Sequence, residues 1–149
     1  MLPALLKTLP PSPPAAIAKV RELEAVVSQA PQVGIKTFHV LHAGVYSRTI
    51  CIPKGVVLTS ALIKIPTTLT VCGKASVFIG DEEVLIEGYQ VLAASAGRKQ
   101  AYIAHEDTYV TMAFCTDART VEACEEQFTD EAAMLMSRFG DNEINITED

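Results

Sequence analysis

The feature that most limits this chain is the stretch from Ile35 to Thr116. There β-branched and aromatic residues dominate, and Gly44, Gly55, Gly73, Gly80, Gly88 and Gly97 cut them into short runs. Strands punctuated by turn residues about every ten positions build sandwiches or barrels. No helix-length pattern interrupts the stretch, which argues against parallel βαβ units. The runs predict strands over 36–41, 45–52, 56–65, 68–72, 75–79, 83–87, 89–95, 100–105 and 108–115. Pro53-Lys54-Gly55 and Gly80-Asp81 have turn chemistry, proline presetting one dihedral and glycine accepting positive φ.

Both flanks read differently. Residues 3–14 hold most of the chain's prolines, which remove backbone donors and favour an extended, loosely held arm. Pro14 suits a first helical position, and Ile17, Val20, Leu23 and Val27 recur at helical spacing. Together they predict a helix over 14–29, ended by Pro31 and Gly34. After Asp117, Val121, Cys124 and Phe128 form an apolar stripe with Glu122, Glu125 and Glu126 opposite. Thr129 is placed to cap a second helical segment from Asp130 to Phe139, and the acidic residues from Gly140 onward read as a frayed tail. The division expected is an arm and helix over 1–34, a barrel over 35–117, and a helical segment with an acidic tail over 118–149.

With 149 residues the chain has room for one core. No apolar run reaches the roughly 18 residues that span a bilayer, and residues 1–9 lack a basic leader and a small-residue cleavage site. A cytoplasmic protein with no membrane partner is expected. The formal charge of −6 disfavours nucleic acid, whose affinity comes largely from lysine and arginine neutralising phosphates. Cys51, Cys72, Cys115 and Cys124 are widely spaced, neither a zinc pattern nor a disulfide framework. The three in strand-like runs read as small buried hydrophobes.

Gly44-Val45-Tyr46-Ser47-Arg48, then Ile52-Pro53-Lys54-Gly55, then Leu58 to Lys64 resemble the first half of a cupin barrel. Gly97-Arg98-Lys99-Gln100-Ala101-Tyr102, followed by Glu106-Asp107-Thr108, resembles the second half. Over residues 43–117 the chain is similar to small cupin-like proteins of tailed bacteriophages and prophages, most without an assigned activity. The resemblance implies a mainly β, cupin-like jelly-roll barrel with an N-terminal helix and one or two C-terminal helices. It also implies a metal-holding histidine cluster, whose positions fall at Ile63, near Thr67 and at Gln100. An isoleucine, a threonine and an amide do not supply the three or four converging donors that a transition metal needs. No metal and no other cofactor is therefore expected.

The remaining motifs are weaker. His39 and His42, three apart on a strand, point to opposite faces, and His105 stands beside Glu106-Asp107 at a strand end. A non-standard metal site built from these three is the enzymatic alternative, of isomerase or dioxygenase type. Gly73-Lys74-Ala75-Ser76 lacks the upstream glycine of a phosphate loop, the carboxylates Asp81-Glu82-Glu83 read as a solvated turn, and Met134 and Met136 as adaptable packing.

Arg48 is the most informative residue. Alternation along Val45–Ile52 puts it with Tyr46, Ile50 and Ile52 on the more apolar face, which is the barrel interior. A guanidinium there needs an anion, either an internal carboxylate such as Glu83 or Glu87 or an anionic ligand that fits its planar fork. Arg48, Tyr46, Thr67, Gln100 and Tyr102 make up the candidate ligand site at the barrel mouth. The function expected is a non-enzymatic, metal-free binding or interaction module of a phage. It would be a virion or assembly accessory, or a pocket in the host cytoplasm that sequesters a small anionic ligand such as a nucleotide or metabolite. Edge strands invite a homodimer. A scaffold that docks a partner through the arm and C-terminal helices is the remaining alternative.

Overall fold

The computed structural model describes residues 7–79 and 81–147. The apolar start of the arm, Met1 to Leu6, and the glycine of the expected Gly80-Asp81 turn lie outside the described residues. The elements in chain order are β1 (Thr8–Leu9), α1 (Pro14–Val27), β2 (Thr37–His42), β3 (Val45–Ile52), β4 (Val57–Thr59), β5 (Thr67–Ile79), β6 (Glu82–Ala94), β7 (Ala101–Ala104), β8 (Thr108–Cys115), α2 (Val121–Phe128) and β9 (Asn142–Ile146). Two short 3-10 turns, Ala132–Met134 and Met136–Arg138, separate α2 from β9.

The fold is mainly β, and its pairings are nested. β5 pairs β6, β4 pairs β7 and β3 pairs β8, all antiparallel. One long six-stranded hairpin is thereby wrapped on itself, which is the jelly-roll arrangement. The wrapping happens within β5, where Thr68–Cys72 pair with β8 while Ala75–Val77 pair with β7. Gly73 is the corner between them, with φ +145°. A Cβ there would stand 2.6 Å from Thr108 Oγ1 and 2.8 Å from the Asp107 carbonyl. Its cross-strand partner is Gly88, also at positive φ (+82°). The two glycines that read as strand breaks therefore bend two 13-residue strands without ending them.

The flanks join the same sheet. Leu9 is fully buried, and β1 runs parallel to the end of β6, with Ala93 N–H donating to the Lys7 carbonyl at 2.8 Å. The proline-rich arm is thus pinned where loose chain was expected, because β6 offers an open edge at that point. The acidic tail likewise forms β9, parallel to β2 from Thr37↔Asn142 to Leu41↔Ile146. The short alternation of isoleucines there suits an edge strand, and all five of its residues are exposed.

Other expectations are corrected by local packing. The run 56–65 is strand only over Val57–Thr59, and the rest is a connecting segment whose Ile63 forms an isolated bridge with Arg98. Thr129 does not start a helix. Its hydroxyl donates to the Leu62 carbonyl at 2.7 Å and accepts the Glu131 N–H at 3.1 Å, and the chain beyond makes only the two 3-10 turns. On α2 the stripe Val121, Cys124 and Phe128 is buried, but so is Glu125, at 1% exposure. Cys72 and Cys115 are exposed, not buried, because they fall on the outer side of the sheet. The core gathers Leu9, Tyr46, Ile52, Val71, Val77 and Leu92 between the sheets, with Phe128 closing one end. Among the described residues no helix is long and apolar enough to cross a membrane.

Candidate functional site

A cavity of about 650 Å³ opens inside the jelly roll, between the inner faces of the sheets, the end of α1 and the turns at 134–136. Most of its wall is apolar, including Ile50, Ile63, Leu69, Val110, Met112 and Phe128. Five charged side chains reach it: Glu24, Arg48, Arg98, Lys99 and Glu131. What the cavity can hold depends on which of these charges are already matched.

Arg48 is matched. Its interior position follows from strand alternation, and its Nη1 donates to Glu125 Oε2 at 2.8 Å while Nη2 donates to Ser137 Oγ at 3.0 Å. The guanidinium lies over the Phe128 ring, 5.4 Å from its centroid. Its anion is thus Glu125 of α2, and neither Glu83 nor Glu87. Glu125 also accepts from Arg138 Nε at 2.7 Å and from the Ser137 hydroxyl. Burial pushes the Glu125 carboxyl up, but the hydrogen bonds from Ser137, Arg138 and Arg48 outweigh it and hold the group below the usual glutamate value. This cluster ties α2 and the following turns to the barrel wall.

Tyr46 is enclosed and lies outside the cavity lining. Its hydroxyl is 2.7 Å from His39 Nδ1, and His39 Nε2 is 2.7 Å from Asn142 Oδ1. Because an amide oxygen only accepts, Nε2 carries the proton and Nδ1 accepts from Tyr46. Arg48 Nη1 approaches the same hydroxyl at 3.4 Å, so the polar order runs Arg48, Tyr46, His39, Asn142. Burial pushes Tyr46 up to about 12 and lowers His39, so both stay neutral at neutral pH. The chain of bonds fastens β9 to β2 and β3.

Arg98 is different. It is 3% exposed, lines the cavity, and has no carboxylate partner among the described residues. Nη1 donates to the Ser95 carbonyl at 2.8 Å, and Nη2 to Thr67 Oγ1 at 2.7 Å, with Met112 Sδ at 3.7 Å. Burial lowers its pKa from the ordinary arginine value, opposed by the neighbouring Tyr102 phenol, yet a guanidinium keeps its charge in any protein setting. A tight turn places it. Gly97 adopts φ +79°, its N–H donates to the Ile63 carbonyl at 2.7 Å, and its own carbonyl accepts Ser12 N–H from the arm at 2.9 Å.

The other residues divide. Lys99, 1% exposed, donates to Glu24 at 2.9 Å and to the Ser60 carbonyl at 2.7 Å, with Glu131 at 3.8 Å. It is a structural cation joining α1 to the barrel. Gln100 and Tyr102 line the cavity, the Tyr102 hydroxyl lying 3.5 Å from Gln100 Oε1, and burial pushes Tyr102 up to about 12. Thr67 lies behind Arg98, as its hydrogen-bond acceptor. Of the expected site residues, Arg48, Gln100 and Tyr102 share the cavity wall, while Tyr46 and Thr67 support cationic neighbours from behind. Arg98 and Lys99 stand out little in the sequence, since adjacent cations after a glycine turn look like solvated charge. The isoleucine at 63 and threonine at 67 were the available signal of what faces them.

The positions that would hold a cupin metal do not fit one. Ile63 offers no donor, Thr67 is engaged by Arg98, and Arg98 puts a fixed positive charge into the same space. The histidines do not converge either. His39 is buried against Tyr46, His42 is exposed on the other face, and His105 Nε2 is 2.8 Å from Ser76 Oγ. Among the described residues no three histidine, cysteine, aspartate or glutamate side chains are grouped to hold an ion.

No family model matches the chain, and no curated protein matches it. Several solved structures are similar in part. A cupin superfamily protein from Desulfitobacterium hafniense is 16% identical with a TM-score of 0.45, over 76% of this chain and 100% of that one. A cupin-2 domain containing protein from Shewanella frigidimarina is 8% identical with a TM-score of 0.43, over 62% and 91%. The cupin domain of an XRE family transcriptional regulator from Enterobacter cloacae is 13% identical with a TM-score of 0.39, over 47% and 80%. The fold itself rests on the strand pairing.

Proposed function

We propose that this protein is a binding module whose jelly-roll cavity takes one small organic acid, a single carboxylate on an apolar body, with Arg98 as the counter-charge. The observation that carries the reading is a buried guanidinium facing a largely apolar cavity with no carboxylate beside it among the described residues. Buried charges are normally paired, and every other charged side chain on this wall has an internal partner. One unmatched cation balances one negative charge, so a nucleotide with two or more phosphate charges suits the site less well than a monocarboxylate. The volume lies within the ~300–1,000 Å³ of small-molecule pockets.

The resemblance to phage-encoded cupin-like proteins extends the proposal to an accessory role in the host cytoplasm, where such a pocket would withdraw a metabolite. The binding claim does not depend on that setting.

Thermal unfolding of the full chain against monocarboxylates, dicarboxylates and nucleoside monophosphates tests the reading. Apolar monocarboxylates should raise the midpoint with concentration, since a ligand bound only by the native state stabilises it. The same acids should raise the midpoint of Arg98→Met only at concentrations roughly 10- to 100-fold higher. No shift with any monocarboxylate, or an equal shift in the variant, would overturn the proposal.

A further inference from the structure

Arg98 is not alone on its stretch of wall. Residues two apart in an extended chain share a face, and Arg98, Gln100 and Tyr102 all line the cavity. They make a polar stripe on a wall that is otherwise mostly apolar. Backbone bonds hold the stripe. Arg98 bridges Ile63, and Ala101 begins β7. Between them the Gln100 N–H donates to Ser60 Oγ at 3.0 Å, and the Gln100 carbonyl accepts the Ser60 N–H at 2.8 Å. The Gln100 side chain is therefore not needed to fasten the segment.

That side chain belongs to a residue only 2% exposed, so its amide has left bulk water. Its Oε1 accepts from the Tyr102 hydroxyl at 3.5 Å, and burial, which pushes that phenol up to about 12, keeps the proton in place. Nε2 is left with its two hydrogens and no acceptor among the described residues. The neighbouring hydroxyls on the wall are engaged: Thr59 donates to Glu24 Oε2 at 3.3 Å, and Ser60 to the Ala61 carbonyl at 3.0 Å. A buried amide donor without an acceptor costs free energy that a leucine or methionine of similar size would not. Gln100 thus serves the contents of the cavity and not the packing of its wall.

We infer that the bound acid carries a second oxygen, an oxo or hydroxyl group on its apolar body, which accepts from Gln100 Nε2 while Arg98 holds the carboxylate. This rests on the organic-acid reading of the cavity and narrows it to oxo and hydroxy acids. An acid with a plain hydrocarbon body drives water from Nε2 and leaves it unpaired, whereas an oxygen at that point takes the place of the water. Gln100 is neutral and adds no counter-charge, so the second group is uncharged.

Calorimetric titration of the full chain with three matched acids tests this. They are phenylbutanoate, its oxo derivative with the carbonyl beside the carboxylate, and its oxo derivative with the carbonyl beside the ring. The tighter-binding oxo acid should exceed phenylbutanoate roughly 2- to 10-fold in affinity, the worth of one neutral hydrogen bond. In Gln100→Met, which keeps the length of the side chain and drops the donors, that ratio should fall to about one. If Gln100→Met does not fold, Gln100→Leu takes its place. Binding of phenylbutanoate with no gain from either carbonyl, or a gain that persists in the folded variant, would overturn the inference and leave the organic-acid reading standing. No saturable binding of any of the three would overturn both.

Discussion

Arg48 Nη1 lies 2.8 Å from Glu125 Oε2, and the two side chains are 12% and 2% exposed, so neither has water to fall back on. The pair joins β3 to α2 across 77 residues of chain. It is the reason a helix with an acidic outer face turns one of its glutamates inward.

Removing one partner of such a pair leaves a buried charge unmatched. Glu125→Ala strips Arg48, Ser137 and Arg138 of their common acceptor and should lower stability by about 3–5 kcal/mol. Urea unfolding measures it. Replacing both partners with apolar residues, as in Arg48→Met with Glu125→Leu, should recover a large part of the loss.

The pH dependence has two windows with the same sign. His39 is lowered by burial, so the stability it lends is present above the ordinary histidine value of about 6.5 and is lost as pH falls through its folded value. Glu125 is held below the ordinary value of about 4.3, so its contribution is present above that point and is lost as pH falls through its own folded value. Urea midpoints should therefore decline from about pH 6.5 downward and decline again below about pH 4.3. Glu125→Gln should shrink the second decline, leaving the share of Glu131, which the Leu62 N–H and Arg21 hold low against its burial, and should keep the first.

The corner of β5 and β6 separates two glycines by cause. Gly73→Ala meets both an unfavourable backbone angle and atoms at 2.6–2.8 Å, and should cost about 3 kcal/mol or more. Gly88→Ala has open space around it and should cost only the ~1–2 kcal/mol of the backbone conformation. Denaturation of the two variants side by side checks the ordering.

These elements show how far the sequence carried. Period-two alternation put Arg48 inside and His39 and His42 on opposite faces, because a strand's geometry is local. The partner of Arg48 was hidden, because Glu125 sits on the polar side of α2 and only the docking of that helix turns it inward. Gly73 and Gly88 looked like strand ends, since nothing local distinguishes a break from a bend made by two glycines facing each other across a hairpin. β1 and β9 were missed because short edge strands owe their existence to the open edge they meet. Arg98 was missed for a related reason: its burial comes from the arm, the 60–63 segment and β8 closing around the turn at Gly97.

The central claim, that Arg98 is the counter-charge for a bound organic acid, is tested most directly by calorimetric titration of the full chain and Arg98→Met with a series of straight-chain and aryl monocarboxylates. The account predicts one saturable site per wild-type chain and a loss of roughly 10- to 100-fold in affinity in the variant, the worth of a charged hydrogen bond. Absence of saturable binding across the series, or equal affinity in both proteins, would contradict it.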